Sequence, residues 1–270
     1  MIKRILVVGG ANGIGLSIAT ELAKRDAVEK VYIVDKAPLA EEYRNPKFEI
    51  FQFDLTNEDY SFFDRFNDVN ALMITAGFGR LALFKDVPES YITSSFNVNT
   101  IPILRLLHKF YGKLEDSDDF YCGVMVSIAG FMSSPFFAVY GATKAALKIF
   151  IESVNVELKK GGSHNCILNV SPGSLKGTSF SAGKTDLTVT SPMADAIIQH
   201  LEAKDDLFIP QYEEVFKEVL SRYNADFRAE GEHSYDYKLN SGRIMENTPP
   251  HTLKCEPKYK LNRLHFICAA

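Results

Sequence analysis

The chain has 270 residues, of which 46% are hydrophobic, so it is long enough to form one large α/β domain with a full core. Its formal net charge of −4 argues against a nucleic-acid partner. No stretch reaches the roughly 18 apolar residues that a membrane helix needs, so we expect no membrane insertion. Four cysteines without C-x-x-C spacing and six scattered histidines predict no metal site and favour a reducing, cytoplasmic setting.

The first motif is a glycine-rich turn between a predicted strand and a predicted helix. The strand covers residues 4–8 and is followed by the run Gly9-Gly10-Ala11-Asn12-Gly13-Ile14-Gly15. Glycines let the backbone turn sharply and approach a pyrophosphate, and a helix N-terminus supplies free N–H groups. The alternative is a tight turn without a ligand. The order of strand, turn and helix favours a dinucleotide site.

An acidic residue closes the second predicted strand, residues 31–34. Asp35 lies 20 residues after Gly15. A carboxylate at this place can accept hydrogen bonds from both ribose hydroxyls of an NAD adenosine and repels the 2′-phosphate of NADP. This favours NAD over NADP, although Lys36 weakens the discrimination. The alternative for Asp35 is a solvated turn residue.

The third predicted strand, residues 48–53, ends at a second acidic residue. Asp54 is placed either to reach an adenine amino group or to cap a turn. Thr56 is expected to cap a helix that runs towards Phe66.

The fourth predicted strand, residues 71–75, is followed by Ala76 and Gly77. Small residues there leave room for a cofactor against the backbone. Residues 88–114 are then expected to form two helices, the second from about residue 95 to residue 114, with its apolar stripe facing inward.

Tyr140 and Lys144 stand four residues apart in a predicted helix over residues 138–160, on the same face. A tyrosine with a pKa near ~10 is a poor acid–base group at neutral pH, and an adjacent ammonium is expected to lower that pKa. Alone, the pair is weak evidence and is more typical of a solvated helix face. Its context favours catalysis, because Ser127 ends the predicted strand 123–126 at the edge where open parallel sheets bind ligands.

The remaining elements continue the alternation of strands and helices. They are a strand at residues 166–170, a polar loop at 174–190, a helix at 192–202 with Pro192 in its first turn, a strand at 206–209 and a helix at 213–223. The alternation predicts a doubly wound parallel sheet with helices on both faces.

The chain resembles the classical short-chain dehydrogenase/reductase family over roughly residues 1–210. The resemblance is carried by motifs in the family's order and spacing: Gly9-x-x-x-Gly13-x-Gly15, Asp54, Ala76-Gly77, Asn99, Ser127, Tyr140-x-x-x-Lys144 and Pro172-Gly173. It implies a Rossmann fold that binds NAD(P) across the carboxyl ends of the strands. The implied cofactor-binding residues are Gly9, Asn12, Gly13, Ile14, Gly15, Asp35, Asp54, Leu55, Ala76, Gly77, Tyr140, Lys144, Pro172, Gly173 and Thr178.

The resemblance also implies a catalytic group of four residues. Tyr140 would be the general acid/base, and Lys144 would lower its pKa and bind the nicotinamide ribose. Ser127 would hold the substrate oxygen, and Asn99 would position Lys144 through a water. The implied reaction is hydride transfer between NAD and an alcohol or ketone.

Three departures from the family pattern stand out. Thr75 replaces an Asn of the family's Asn-Asn-Ala-Gly and is expected to keep a hydrogen bond between strands. Gly177 stands where the family has a Thr that contacts the nicotinamide amide, so Thr178 is expected to replace it. Residues 1–222 are expected to form the Rossmann domain. The extension 223–270 matches no family pattern and is expected to wrap the domain, cover the active site, swap with a neighbour or stay loosely ordered.

Two other functions stay open at this stage: a catalytically silent nucleotide sensor, and an epimerase or dehydratase of the same superfamily. The aromatic run between Ser127 and Tyr140 suggests an apolar or aromatic substrate, or else packs on a lid; it comprises Phe131, Met132, Phe136 and Phe137.

The resemblance implies a homodimer or homotetramer formed through the helices at about 95–114 and 138–160. Phe110 and Phe150 lie on these helices and mark either the interface or the core.

Overall fold

A seven-stranded parallel sheet forms the centre of the computed structural model, which describes residues 1–178 and 185–240. The strand order β3-β2-β1-β4-β5-β6-β7 confirms the predicted doubly wound sheet. The strands are β1 (Arg4–Val8), β2 (Lys30–Asp35), β3 (Phe48–Gln52), β4 (Ala71–Ile74), β5 (Tyr121–Met125), β6 (Ile167–Val170) and β7 (Leu207–Phe208). The α-helices are α1 (Gly13–Ala23), α2 (Glu89–Asn99), α3 (Ile101–Lys109), α4 (Tyr111–Glu115), α5 (Ala138–Lys160), α6 (Leu187–Ala203), α7 (Lys217–Ala225) and α8 (Phe227–Asn240).

The chain order reverses between β1 and β4, and this switch places the site. β1 pairs with β2 on one side and with β4 on the other, so Val8 lies beside both Val34 and Ile74. The loops that follow β1 and β4 therefore leave towards opposite faces of the sheet. The crevice between them, at the carboxyl ends of the strands, is where open α/β sheets bind ligands.

Helices cover both faces of the sheet and bury its side chains. On one face, α1 packs on α6 and the sheet and fully buries Ile14, Ile18 and Leu22, as the predicted apolar face requires. Each such side chain stabilises the fold by about 1.5–3 kcal/mol. On the other face, α3 and α5 bury Leu107 and Leu147 against the sheet. This packing fixes α1 and α5, the two helices that begin at the crevice.

The predicted helix from residue 95 to residue 114 is wrong, because the chain breaks twice there. α2 ends at Asn99, Thr100 leaves the helical conformation with φ −128°, and α3 begins at Ile101. Pro102 explains this break, since its ring would clash with a continuing helix. A second break follows at Phe110. Asn99 therefore lies at the end of a helix, not near its start.

Two other helices also start differently from the prediction. The expected helix after Thr56 is a single 3₁₀ helix, Ser61–Phe66, because Asp54 holds Thr56 in a turn. α6 begins at Leu187, where the Asp186 side chain accepts a hydrogen bond from the N–H of Thr188. Pro192 therefore lies inside α6 and not in its first turn. Residues 179–184 of the predicted polar loop lie outside the described residues.

The C-terminal part of the described chain forms a helical pair. A π-helical turn, Tyr212–Phe216, leads into α7, which runs across the predicted domain boundary at residue 222. α8 then packs back on α7, and its side chains contact Ser134 and Phe136 in the segment just before α5. No helix within residues 1–178 and 185–240 is both long and apolar enough to cross a membrane. Residues 241–270 lie outside the described part.

Candidate active site

The glycine turn between β1 and α1 packs so closely on the loop after β4 that two of its positions exclude a side chain. Gly9 has φ 90°, and a Cβ there would lie 2.5 Å from the backbone nitrogen of Ala76. A Cβ on Gly15 would lie 2.3 Å from the carbonyl oxygen of Gly9. Glycine at these positions lets the turn form a close-packed cradle at the amino end of α1. This cradle has the form that a pyrophosphate requires.

Thr75 ties the glycine turn to β4. Its hydroxyl lies 3.2 Å from the carbonyl oxygen of Val8 and 3.0 Å from that of Gly9, and can donate to either. The expected hydrogen bond between strands is therefore present. Thr75 replaces the family's Asn without loss of the link between β1 and β4.

A cavity of about 300 Å³, here called the glycine-turn cavity, opens beside this cradle. Its lining includes many of the predicted cofactor-binding residues: Gly9, Asn12, Asp35, Asp54, Leu55, Ala76 and Gly77. Ile14, by contrast, is fully buried in the core, so only its backbone faces the turn.

Asp35 is buried at the edge of the glycine-turn cavity, so the alternative of a solvated turn residue is wrong. One carboxylate oxygen accepts the N–H of Ala11 at 3.0 Å and the other accepts that of Ala37 at 2.9 Å. These two bonds fix the carboxylate at the edge of the cavity.

Lys36 is turned towards Asp54, and the two form an ion pair at 2.7 Å. Burial disfavours the charged form of Asp54, but the Lys36 ammonium and the Thr56 donors outweigh it and hold the pKa below its usual value. Asp54 thus caps a turn and also lines the cavity. The Asp54 carboxylate thus compensates the positive charge of Lys36.

Asn99 and Lys144 meet behind Gly77, between the glycine turn and α5. Asn99 is fully buried, accepts the N–H of Phe78 at 2.9 Å and donates to the Phe78 carbonyl at 2.8 Å and the Thr143 hydroxyl at 3.3 Å. A Cβ on Gly77 would lie 3.3 Å from the Asn99 side-chain oxygen and 3.4 Å from Lys144 Nζ. The missing side chain of Gly77 therefore gives access to both groups.

The Lys144 ammonium is buried and donates to the carbonyl oxygen of Met125 at 2.8 Å. This bond fixes the side chain at the end of β5, with Nζ 5.7 Å from the centre of the Tyr140 ring. Burial lowers the pKa of Lys144 to about 7. The buried ammonium is therefore easier to deprotonate than that of an exposed lysine.

Tyr140 is 3% exposed, and burial raises the pKa of its hydroxyl above the usual value. The nearby Ser127 side chain acts in the opposite direction but is the smaller effect. The expectation that Lys144 brings the pKa of Tyr140 below its ordinary value is wrong for this structure, because desolvation dominates. The hydroxyl is kept neutral and close to Ser127.

Ser127 follows β5 and caps the short 3₁₀ helix Ile128–Gly130, with its hydroxyl accepting the N–H of Ala129 at 3.2 Å. The hydroxyl also lies 3.5 Å from the carbonyl oxygen of Pro172. The end of β5, the segment after β6 and the first turn of α5 thus converge on one hydroxyl. All three were predicted to supply site residues.

A second cavity of about 500 Å³, here called the Tyr140 cavity, contains Ser127 and Tyr140 in its wall. Met132 and Phe137 of the aromatic run line it. Phe136 instead packs on the Tyr235 ring at 4.7 Å between centroids. Phe131 lies beneath the Lys148 ammonium, 5.0 Å from Nζ, so the run divides between the pocket wall and packing elsewhere.

Gly173 lines the Tyr140 cavity, and a Cβ there would lie 2.7 Å from the Phe216 ring. Thr178 is fully buried and donates to the carbonyl oxygen of Leu175 at 3.0 Å. Its hydroxyl is thus used within its own loop. The role predicted for Thr178 at the nicotinamide stays a prediction.

Two features of the site were not found from the sequence. The hydroxyl of Thr185 accepts the N–H of Gly13 at 2.7 Å, at the amino end of α1. The other is α8, whose Glu230 is buried in an ion pair with Arg222 at 2.7 Å and lines the Tyr140 cavity. The only signal for Thr185 is the Ser/Thr-rich composition of its loop. No apolar periodicity marks α8.

These observations first define the class of protein. The parallel sheet, the open glycine cradle and the crevice at the switch point make a dinucleotide-binding fold of the Rossmann type. The model of the family described as short chain dehydrogenase matches residues 3–186. The chain belongs to this family of oxidoreductases.

Known relatives are distant. Human 17-beta-hydroxysteroid dehydrogenase type 1 is 28% identical over 183 residues, 62% of this chain and 56% of that protein. The uncharacterized oxidoreductase TDA5 of Saccharomyces cerevisiae is 24% identical over 200 residues, 71% of this chain and 61% of that protein. The chain thus spans about three fifths of the length of these relatives.

Solved structures show the same fold. A short chain dehydrogenase from Burkholderia cenocepacia, in complex with NADP, has a TM-score of 0.71 at 21% identity, covering 86% of this chain and 97% of that one. A short-chain dehydrogenase from Streptomyces avermitilis has a TM-score of 0.69 at 20% identity, covering 88% and 99%.

Proposed function

We propose that the protein is an NAD(H)-dependent oxidoreductase that interconverts an alcohol and a ketone. One observation carries the proposal: the buried Tyr140 hydroxyl meets Ser127 in the wall of a 500 Å³ cavity, with Lys144 behind it. A neutral phenol held beside a serine hydroxyl is placed to share a substrate oxygen with it. That arrangement serves proton transfer to and from an oxygen.

The residues of the crevice fit the cofactor. The open cradle at Gly9 and Gly15 would hold the pyrophosphate, Asp35 the adenosine ribose, and Lys144 the nicotinamide ribose. When bound, the nicotinamide supplies or accepts the hydride. The chain itself therefore has to manage only the proton and the charge on the substrate oxygen.

Alcohol oxidation requires a base for the hydroxyl proton. Tyr140 takes that proton in its phenolate form, after its own proton has passed to solvent, while Ser127 donates a hydrogen bond to the substrate oxygen as its charge changes. A protonated Lys144, with Nζ 5.7 Å from the centre of the Tyr140 ring, would favour the phenolate form against the larger cost of burial. Asn99 acts indirectly, because it hydrogen-bonds the loop after β4 and the Thr143 hydroxyl beside Lys144. Ketone reduction runs through the same groups in reverse.

The charges around the glycine-turn cavity support NAD as the preferred cofactor. Asp35 presents a buried carboxylate at the ribose edge, and Lys36, the cation nearest to it in sequence, is paired with Asp54. A 2′-phosphate would meet the carboxylate without a free cation from Lys36. The Burkholderia structure holds NADP, so both cofactors belong in the assay.

Asp35→Ala is expected to narrow the preference for NAD over NADP by about tenfold, the scale of one lost charge–hydroxyl contact. The ratio of kcat/KM with NAD to that with NADP measures it. Asp59→Ala, which removes an exposed carboxylate that does not line the cavity, is the matched control. An unchanged ratio in Asp35→Ala would show that Asp35 does not bind the ribose.

The assay that tests the function offers NAD or NADP with secondary alcohols, and the reduced cofactors with the matching ketones. Met132 and Phe137 in the cavity wall favour substrates with an apolar or aromatic body. We expect cofactor turnover with members of this panel. Tight cofactor binding without turnover would favour the nucleotide sensor, and a cofactor that is used but regenerated would favour the epimerase or dehydratase.

We also propose a homodimer or homotetramer, with α3 and α5 in its interface. Phe110 lies in the core and Phe150 packs against it, so neither marks a surface. Instead, Ile101, Ile149 and Val156 expose about half or more of their side chains on these helices. Exposed apolar groups on neighbouring helices are typical of an interface between copies.

The double variant Ile149→Asp and Val156→Asp is expected to shift the protein from an oligomer to a monomer, measured as molar mass by light scattering. Two buried carboxylates without partners would oppose association. Val189→Asp, a change of a comparably exposed residue on α6, is the control. A monomeric wild type, or an oligomer that tolerates the double variant, would contradict the interface.

A further inference from the structure

A strained residue lies just before the helix that carries Tyr140. Phe136 has φ 66°, in the left-handed region that bulky side chains rarely adopt. Its carbonyl oxygen accepts the N–H of Ala82 at 2.9 Å, and its ring is buried. Such a conformation persists only where surrounding contacts hold it, and it occurs preferentially at functional sites.

The first turn of α5 is built directly on this strained residue. The N–H of Phe137 donates to the carbonyl of Ser134 at 2.9 Å, and the carbonyl of Phe137 accepts the N–H of Gly141 at 2.6 Å. The Phe137 ring packs on Tyr140, 5.2 Å between centroids. The direction in which Tyr140 leaves the helix therefore depends on the backbone at residues 134–137.

One face of α8 holds this backbone. Residues 231, 235 and 238 of α8 lie on one side of a helix, since they are spaced by four and three. The Tyr235 ring packs on Phe136, and a Cβ on Gly231 would lie 3.5 Å from the Ser133 hydroxyl. Lys238 Nζ donates to the Ser134 hydroxyl at 2.7 Å and to the Pro135 carbonyl at 3.0 Å.

We propose that Lys238 is a positioning residue: through Ser134 and Pro135 it fixes the strained turn at Phe136, so that the first turn of α5 aims Tyr140 at Ser127. The inference rests on the proposed function of Tyr140. Lys238 acts through the backbone of the turn and through the Tyr235–Phe136 contact beside it. Its third donor is used by Ser234 on α8 itself, at 3.0 Å, which fixes the ammonium over the turn.

The geometry of Lys238 suits this role. Its ammonium donates to the Ser134 hydroxyl, the Pro135 carbonyl and the Ser234 hydroxyl. An ammonium has three N–H donors, and these bonds point it at the turn before α5. α8 lines the Tyr140 cavity but not the glycine-turn cavity, so its effect is confined to the proton-transfer side.

Lys238→Met tests the proposal, because it keeps the length of the side chain and removes the three donors. We expect kcat to fall by about tenfold, the scale of a small misplacement of a reacting group, with the KM for NAD unchanged. The pH at which alcohol oxidation reaches half its maximum should move upward, since a displaced Tyr140 moves away from the Ser127 side chain, which lowers its pKa. Lys238→Arg, which can still donate to both oxygens, should restore kcat to within about twofold.

The control is Lys217→Met on α7, where the ammonium pairs with Glu213 on the surface. It should leave kcat and the pH profile unchanged. A Lys238→Met enzyme with a lower melting temperature but wild-type kcat and pH profile would show a purely structural role and overturn the proposal.

A readout without activity separates this inference from the proposed function. Chymotrypsin cleaves after exposed Phe, and release of the turn should raise cleavage after Phe136 or Phe137 by about tenfold in Lys238→Met, because local opening governs the rate. If Lys238→Met is cleaved at the wild-type rate, Lys238 does not fix the turn, whether or not the protein oxidises any alcohol. If cleavage is faster but no alcohol of the panel is oxidised, the role of Lys238 in fixing the turn stands and the proposed function is contradicted.

Discussion

Tyr140→Phe is expected to lower kcat by about 100-fold or more, the scale of one acid–base group. The change removes a single oxygen from a ring that packs on Phe137, so the fold and the glycine-turn cavity should not change. NAD affinity should therefore stay close to that of the wild type. Steady-state kinetics and NAD binding measured on the same preparation give both numbers.

Tyr121→Phe is the matched control for this prediction. Tyr121 is also buried, but its hydroxyl lies 3.3 Å from Asp119 at the opposite end of β5. Its loss should leave kcat unchanged. Normal turnover in Tyr140→Phe would contradict the proposed mechanism.

Lys144→Met is expected to lower kcat/KM for NAD and alcohol together by roughly 100-fold or more, because it removes both the support for the phenolate and a ribose contact. Lys148→Met, one turn further along α5, changes a side chain that pairs with the exposed Glu152 and lies over the Phe131 ring, and it is the control. If Lys144→Met keeps wild-type kcat/KM, the lysine has no part in the reaction.

The same variant changes how stability depends on pH. Burial lowers the pKa of Lys144 from 10.5 to about 7 in the folded chain. Between these values the unfolded chain binds more protons than the folded one, so this residue makes stability rise with pH from about 7 towards 10.5. Below pH 7 the charged lysine is buried at full cost. The fold therefore keeps a destabilising group where the reaction needs it.

In Lys144→Met this rise should be absent. Urea unfolding of wild type and variant at about pH 7 and about pH 9 measures the difference in the free energy of unfolding. We expect a smaller increase with pH in the variant. Equal increases in the two proteins would show that Lys144 carries its charge at neutral pH.

The sequence was sufficient to predict the sheet, because strands and helices alternate and each strand is a short apolar run. The positions of Tyr140 and Ser127 could also be predicted, since Tyr140 lies in a correctly predicted helix and Ser127 directly follows a correctly predicted strand. The local position of Asn99 could not, because the break at Thr100 depends on Pro102 and on packing against Thr143. Residue patterns give helix content more reliably than the point at which a helix breaks.

Two properties of the site depend on contacts between distant parts of the chain. The direction of the pKa shift of Tyr140 depends on how deeply its side chain is buried. The spacing of residues along the chain does not predict this burial. α8 is polar on most sides, and Glu230 and Lys238 reach the cavity through ion pairs and hydrogen bonds. A helix without an apolar stripe gives no signal of where it packs.

The most direct test of the account follows the transferred atom. Purified protein is incubated with NAD and a secondary alcohol that carries deuterium at the carbinol carbon, and the reduced cofactor is analysed by mass spectrometry. The account predicts deuterated NADH with the wild type and at least about 100-fold less in the same time with Tyr140→Phe. Bound NAD without deuterium transfer from any alcohol of the panel, or equal transfer by the two proteins, would contradict it.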